Sequence, residues 1–164
     1  MLSGQKIVVV MPAYNAACTL RRTYEKVIAH GIVDLVNVVD DASHDDTVTI
    51  ARTLDRVQVE MHPENRGYGA KQKTCYRLAL AAGAEIVIMI HLDYQYTPQL
   101  IPAMAALVAS GLYPCVLASR ILGGSAGRFA GHRARHFQSF ALVRRRRLCL
   151  WIGVLRDSCM IMAL

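Results

Sequence analysis

No stretch of this sequence approaches the roughly 20 consecutive apolar residues that a bilayer-spanning helix requires. The longest near-uncharged runs, Ala79 to Ala84 with Ile86 to Ile90 and Leu148 to Leu155, are much shorter. The start of the chain also lacks the long apolar region and small-residue cleavage site of a secretory leader, since Lys6 leads straight into Ile7-Val8-Val9-Val10 and Pro12. The expected location is cytoplasmic, with peripheral attachment to the inner face of the membrane as the remaining membrane role. Cysteine is sparse and scattered: Cys18, Cys75, Cys115, Cys149 and Cys159 form no close pair and no C-x-x-C spacing. That argues against a thiolate metal site and a disulfide framework, and leaves reduced thiols as the expectation. No G-x-G-x-x-G follows the first apolar run, and no G-x-x-x-x-G-K with Ser or Thr after it occurs, so neither a dinucleotide fold nor a P-loop is indicated.

What the chain does contain is enough apolar material for a single core. Of its 164 residues 54% are hydrophobic and 19% charged, which argues against disorder and favours one domain. The net charge of +7 is concentrated at one end. Up to Gly124 basic and acidic residues balance, whereas Ser125 to Leu164 holds eight arginines, no lysine and Asp157 as its sole acid.

Hydrophobic periodicity alternates between two kinds. Ile7 to Met11, Val36 to Val39, Val57 to Met61, Ile86 to Ile90 and Val116 to Ala118 read as strands. Between them, Leu20, Tyr24, Val27 and Ile28 repeat at helical spacing before Gly31, a second helix is predicted from about Ala70 to Ala82, and Thr97-Pro98 reads as a cap with proline at the first helical position. Ser43, with Asp46 three residues on, predicts a further helix start. Strands alternating with helices imply an α/β fold with a mostly parallel sheet and helices on both faces. In such sheets ligands bind beyond the carboxyl ends of the strands. Tyr14-Asn15, Asp40-Asp41, His91 to Gln95 and Ser119-Arg120 each follow a predicted strand, so these polar clusters should gather along one edge.

Val10-Met-Pro-Ala-Tyr-Asn15, Val38-Val-Asp-Asp-Ala-Ser43 with Asp46-Thr47, Asn65-Arg-Gly-Tyr-Gly69 and Asp93-Tyr-Gln95 occur in the order and at the intervals of the motifs of family 2 glycosyltransferases. Residues 1–124 resemble the nucleotide-sugar-binding half of such an enzyme, of the inverting dolichyl-phosphate mannose synthase type, with Leu117 to Gly124 similar to a segment of the polyprenyl-phosphate branch. The resemblance implies the GT-A fold and transfer of a sugar, with inversion, from a nucleotide-diphospho-sugar of the GDP-mannose or UDP-glucose type to a polyprenyl phosphate or another acceptor. It implies that Pro12, Ala13 and Tyr14 wall the base and that Asp41, with Asp40 as its rival, contacts the nucleoside. Asp93 matches the last acid of the D-x-D motif and would ligate Mn2+ or Mg2+, a hard oxygen donor for a hard cation. His91 stands where the first acid of that motif is expected, suited to a ribose contact or to manganese. Gln95 would lie near the metal and phosphates, and Arg120 would neutralise the diphosphate or hold a phosphate acceptor.

The motifs end at Gly124. Residues 125–164 read as an arginine-rich tail that departs from the family pattern, as translation in a shifted frame or a truncated gene copy would produce. A basic interfacial helix from Phe137 to Leu155 competes with that reading, but the four consecutive arginines Arg144 to Arg147 cannot segregate to one face at 100° per residue. A nucleic-acid-binding role is disfavoured, because Phe129, Phe137, Phe140 and Trp151 are not interleaved with the basic residues in any known motif. With the acceptor side missing from the motif pattern, the expectation is weak donor binding and very poor transfer, and a catalytically inactive nucleotide-sugar binder is the alternative.

Overall fold

The computed structural model describes residues 2–94 and 97–118 and the backbone of residues 140–144. Its elements, in chain order, are β1 (Ile7–Ala13), α1 (Ala17–Ile28), β2 (Leu35–Asp40), α2 (Thr47–Arg52), β3 (Val57–Met61), α3 (Tyr68–Ala81), β4 (Ile86–Met89), a 3-10 turn (Pro98–Leu100) leading into α4 (Ile101–Ala109), β5 (Cys115–Ala118) and β6 (Phe140–Arg144). The strands form one sheet in the order β3-β2-β1-β4-β6-β5. The first four are mutually parallel, and β6 runs antiparallel to both β4 and β5.

Every residue of β1 is buried, as a central parallel strand covered on both faces must be. Its side chains alternate between two cores. Ile7, Val9, Met11 and Ala13 join Val36, Val38, Ile86, Ile88 and Ile90 beneath α1, α2 and α4, which contribute Leu20, Tyr24, Val27, Ala51, Ile101, Met104, Ala105 and Val108. Val8 and Val10 join Val39, Val87 and Met89 beneath α3, which contributes Cys75, Tyr76, Leu78 and Ala79. Helices therefore cover both faces, and the α/β reading of the sequence holds.

Three local differences have physical causes. Ser43 does not cap a helix: its hydroxyl donates to Asp40 and accepts the Asn15 N–H, and α2 begins only at Thr47, whose N–H and hydroxyl both donate to Asp45. The helix predicted at Thr97 opens as a 3-10 turn, with Thr97 Oγ1 accepting the Gln99 N–H. Residues 140–144 form a strand, so the competing helix from Phe137 to Leu155 is not continuous. Backbone pairing to β4 and β5 on its two sides holds β6 there, a tertiary constraint that local pattern does not encode.

Among the described residues Cys18, Cys75 and Cys115 are free thiols, and burial pushes Cys75 up to about 12, which keeps it an inert core residue. Also among the described residues, no helix is long and apolar enough to cross a membrane.

Candidate functional site

The chain runs β1 to β2 to β3 along one side of β1, then crosses to place β4 on the other side. The sheet's topological switch point therefore lies between β1 and β4, and a crevice is expected there beyond the carboxyl ends of the strands. Pro12 helps to open it. Even-numbered residues of this strand direct their backbone groups toward β4, as the bonds from Glu85 and Ile86 N–H to Lys6 O and from Ile90 N–H to Val10 O show. Pro12 falls on that side and has no N–H to give, so the ladder between β1 and β4 ends at Val10 paired with Met89. On the opposite side pairing with β2 continues to Ala13 and Asp40.

The loops at this edge are fastened to one another by side chains. The N–H groups of Asn15, Ala16 and Ala17 donate to Ser43 Oγ at 2.8 Å, Thr47 Oγ1 at 2.8 Å and Asp45 Oδ2 at 3.0 Å, and Asn15 Oδ1 returns a bond from the His44 N–H. Burial raises the Asp45 carboxyl, but the bonds from Thr47 and the Ala17 N–H outweigh it and hold the group below its usual range. Asp40 accepts the Ser43 N–H at 2.9 Å and the Ser43 hydroxyl, closing a turn in which Ala42 takes a φ of 60°.

Asp41 is wholly buried, with both of its oxygens engaged inside the protein. Oδ1 accepts His62 Nδ1 at 2.7 Å and the Arg66 N–H at 3.0 Å, while Oδ2 accepts the Gly67 N–H at 3.0 Å and lies 3.9 Å from Lys71 Nζ. Burial works against its charge, yet the Arg66 N–H, His62, Lys71 and the Gly67 N–H together hold its pKa below the ordinary value. The carboxylate thus sits at the amino end of α3 and supplies the acceptor that its capping residue, Gly67, lacks. Gly67 has a φ of 80°, a conformation that favours glycine, as it turns its N–H toward Asp41. The acidic pair and the Asn65-Gly67 loop are therefore one bonded unit.

Between these loops lies Lys71, 8% exposed, its ammonium 3.4 Å from Ala13 O and 5.5 Å from the centre of the Tyr14 ring, which is itself 43% exposed. Across the switch point, His91 is buried and Asp93 exposed. Gln72 Nε2 donates to the Tyr68 hydroxyl at 2.6 Å, and that hydroxyl lies 3.0 Å from His91 Nε2, within hydrogen-bond distance. Burial lowers the His91 pKa, while Asp93 opposes that shift and Lys71 adds to it. The segment bearing Asp93 is tied to α1 by a bond from the Thr19 hydroxyl to Leu92 O at 2.5 Å and by the Arg22 guanidinium over Tyr94 at 5.4 Å.

Among the described residues no three His, Cys, Asp or Glu side chains converge as a metal cage. Asp93 presents an exposed carboxylate at this edge, and His91 meets the Tyr68 hydroxyl through Nε2. One carboxylate suits Mg2+ or Mn2+ only where substrate phosphates and water complete the coordination, which is the usual arrangement for phosphate-bridging magnesium.

The sequence-predicted residues thus fall as follows. Pro12, Ala13, Tyr14, Asp40, Asp41, His91 and Asp93 all lie at or just beyond the carboxyl ends of β1, β2 and β4, on one edge. Pro12 and Ala13 are buried, Tyr14 and Asp93 face solvent, and Asp40 and Asp41 turn inward. Gln95 and Arg120 lie outside the described residues. For Lys71 the sequence leaves two readings about equal, added positive charge near the nucleotide or a solvated helix face, and the residue is buried; His62 and Thr19 carry no sequence signal that singles them out. The spacing of Lys71 from buried Cys75 and Leu78, four and seven residues on, was the available signal that it faces inward.

The family profile described as Glycosyl transferase family 2 matches residues 8–163. An uncharacterised protein of Methanocaldococcus jannaschii is 31% identical over 121 residues, covering 74% of this chain and 49% of that protein. The UDP-N-acetylglucosamine–dolichyl-phosphate N-acetylglucosaminyltransferase of Methanococcus voltae is 24% identical over 136 residues, covering 73% and 54%. The chain therefore spans about half the length of these relatives. Among solved structures, a mannosyltransferase of Pyrobaculum calidifontis in complex with GDP-mannose and Mn2+ superposes with a TM-score of 0.68 at 19% identity, covering 90% of this chain and 46% of that one. Glucosyl-3-phosphoglycerate synthase of Mycobacterium tuberculosis, in complex with Mn2+, UDP and phosphoglyceric acid, gives 0.52 at 26% identity over 64% and 39%. With its motifs in order, a GT-A fold and a family match over most of its length, the chain belongs to glycosyl transferase family 2.

Proposed function

We propose that the protein binds a nucleotide-diphospho-sugar at the switch-point edge and acts as the donor-binding part of an inverting glycosyltransferase. The observation that carries this reading is the placement along that edge of an exposed aromatic ring (Tyr14), a buried cation (Lys71) and an exposed carboxylate (Asp93), where Pro12 ends the ladder between β1 and β4. Tyr14 and the backbone of Pro12 and Ala13 wall the nucleoside. Asp40 and Asp41 act by holding that wall and the Gly67 loop in place, since their oxygens are committed internally. Asp93 holds Mn2+ or Mg2+, which when bound supplies a Lewis acid toward the diphosphate leaving group. The family resemblance assigns contacts with the phosphates to Gln95 and Arg120, which lie outside the described residues.

The acceptor we infer is a polyprenyl phosphate at a membrane surface. A phosphate oxygen is already anionic and needs no carboxylate base to activate it, as an alcohol would. The named activity of the Methanococcus voltae relative, toward dolichyl phosphate, fits this choice.

The test is calorimetric titration of the full chain with UDP and GDP, with and without Mn2+, followed by assay of labelled GDP-mannose and UDP-glucose with short polyprenyl phosphates. Asp93→Asn should remove the metal-dependent part of the affinity, about 1–3 kcal/mol for a charge-assisted contact. Equal affinity with and without metal in the unchanged protein would remove Asp93 from this role. Transfer to an alcohol acceptor but not to the lipid phosphate would overturn the acceptor assignment.

A further inference from the structure

Resting on the donor-site reading above, the geometry points to Lys71 as the residue that selects the base of the donor nucleotide. We propose that its ammonium donates to the carbonyl oxygen at C4 of uracil or C6 of guanine, disfavouring cytosine and adenine, which carry an amino group at those positions.

A buried ammonium has three protons to place and no acceptor of its own. The contacts found for Lys71 among the described residues are few and long. Ala13 O, at 3.4 Å, already accepts the Asp41 N–H at 3.1 Å. Asp41 Oδ2, at 3.9 Å, already accepts the Gly67 N–H at 3.0 Å. The Tyr14 ring, at 5.5 Å, offers a π face and no lone pair aimed at the proton. A cation that is 8% exposed and so thinly bonded is poorly satisfied, and its position marks where a ligand acceptor would be stabilised. Burial lowers its pKa, while the charges of Asp41 and Asp40 work to keep it protonated.

The place identifies the ligand atom. Lys71 lies beside the carbonyl of the last residue of β1 and the exposed ring of Tyr14, on the nucleoside side of the crevice, whereas the phosphate-side residue Asp93 follows β4 across the switch point. Uracil and guanine present a carbonyl where cytosine and adenine carry an exocyclic amino group. An ammonium has only donors, so it bonds the first pair and is left facing N–H groups by the second. A site built to bond one group rejects the analogue that lacks it, because its own buried polar atom is then unpaired.

The experiment titrates the full chain with UDP, CDP, GDP and ADP in the presence of Mn2+, for the unchanged protein, Lys71→Met and Lys71→Arg, with thermal melts of each. The unchanged protein should bind UDP over CDP and GDP over ADP by about tenfold or more. Lys71→Met should bring both ratios toward one, and Lys71→Arg should preserve them. Equal binding of UDP and CDP by the unchanged protein overturns the proposal even if neither variant folds. Unaltered ratios in a Lys71→Met protein that melts normally overturn it as well. Failure of all four nucleotides to bind the unchanged protein would instead remove the donor-site reading on which the proposal rests.

Discussion

Two residues are held in ways their chemistry disfavours, and each gives a measurable consequence. Asn37 lies in β2 with no exposed surface, and among the described residues neither its amide nitrogen nor its amide oxygen has a hydrogen-bond partner. Burying such a group unbonded costs about 1–3 kcal/mol. Asn37→Val, matching the valines at positions 36 and 38, should therefore raise stability by about 1 kcal/mol or more in urea titration, and a lower unfolding midpoint would show that the amide has a stabilising partner. Ala42 sits at a φ of 60° in the turn between Asp40 and Ser43. A left-handed alanine costs about 1–2 kcal/mol, partly offset in glycine by the greater freedom of the unfolded chain. Ala42→Gly should gain about 0.5 kcal/mol in the same measurement, and a loss of stability would contradict it. The sequence disclosed the types and positions of the edge residues well, because Tyr14, Asp40, Asp41, His91 and Asp93 directly follow or end apolar runs. It did not disclose which of them face inward. The donors that occupy Asp41, at His62, Arg66, Gly67 and Lys71, lie 21 to 30 residues further along, a separation that local pattern does not register.

At the scale of elements, the amino end of α3 depends on a carboxylate from another segment. Asp41→Asn would remove the charge that Lys71, His62 and two backbone N–H groups surround, with an expected loss of about 3–5 kcal/mol at neutral pH. Because the folded-state pKa of Asp41 lies below its ordinary 3.8, this contribution is complete above that value and disappears as pH falls through the folded-state value. Urea titrations at pH 7 and pH 3 should thus show the gap between unchanged protein and variant narrowing in acid. A gap independent of pH would mean that packing, not ionisation, sets it. The helices and parallel strands were legible as elements, since covered strands read as continuous apolar runs and α1 repeats at helical spacing. Their caps were less legible: Ser43 has the right residue type for a cap, but Asn15 and Asp40 claim its hydroxyl.

For the molecule as a whole, the strand order decides when the sheet can close. β3, β2, β1 and β4 pair without any residue beyond Met89, whereas β5 has its backbone partner in β6, which reaches the sheet only with residues 140–144. This insertion was not legible from the sequence, because five residues at the edge of an arginine run carry no strand period of their own and are fixed by pairing on both sides. During synthesis, β5 leaves the ribosome with its neighbour still unmade. The 26 residues from Ser119 to Arg144 take about 1–5 s to add at ordinary elongation rates of about 5–20 residues per second. For that interval the edge of β4 that will meet β6, at Ile86 to Ile88, is open to any strand that arrives first. Ribosome-bound chains arrested with residues up to 118 outside the exit tunnel should exchange the outward amides of β4 readily, and those arrested with residue 144 outside should protect them. Equal protection at both lengths would mean that another part of the nascent chain guards that edge until its partner is made.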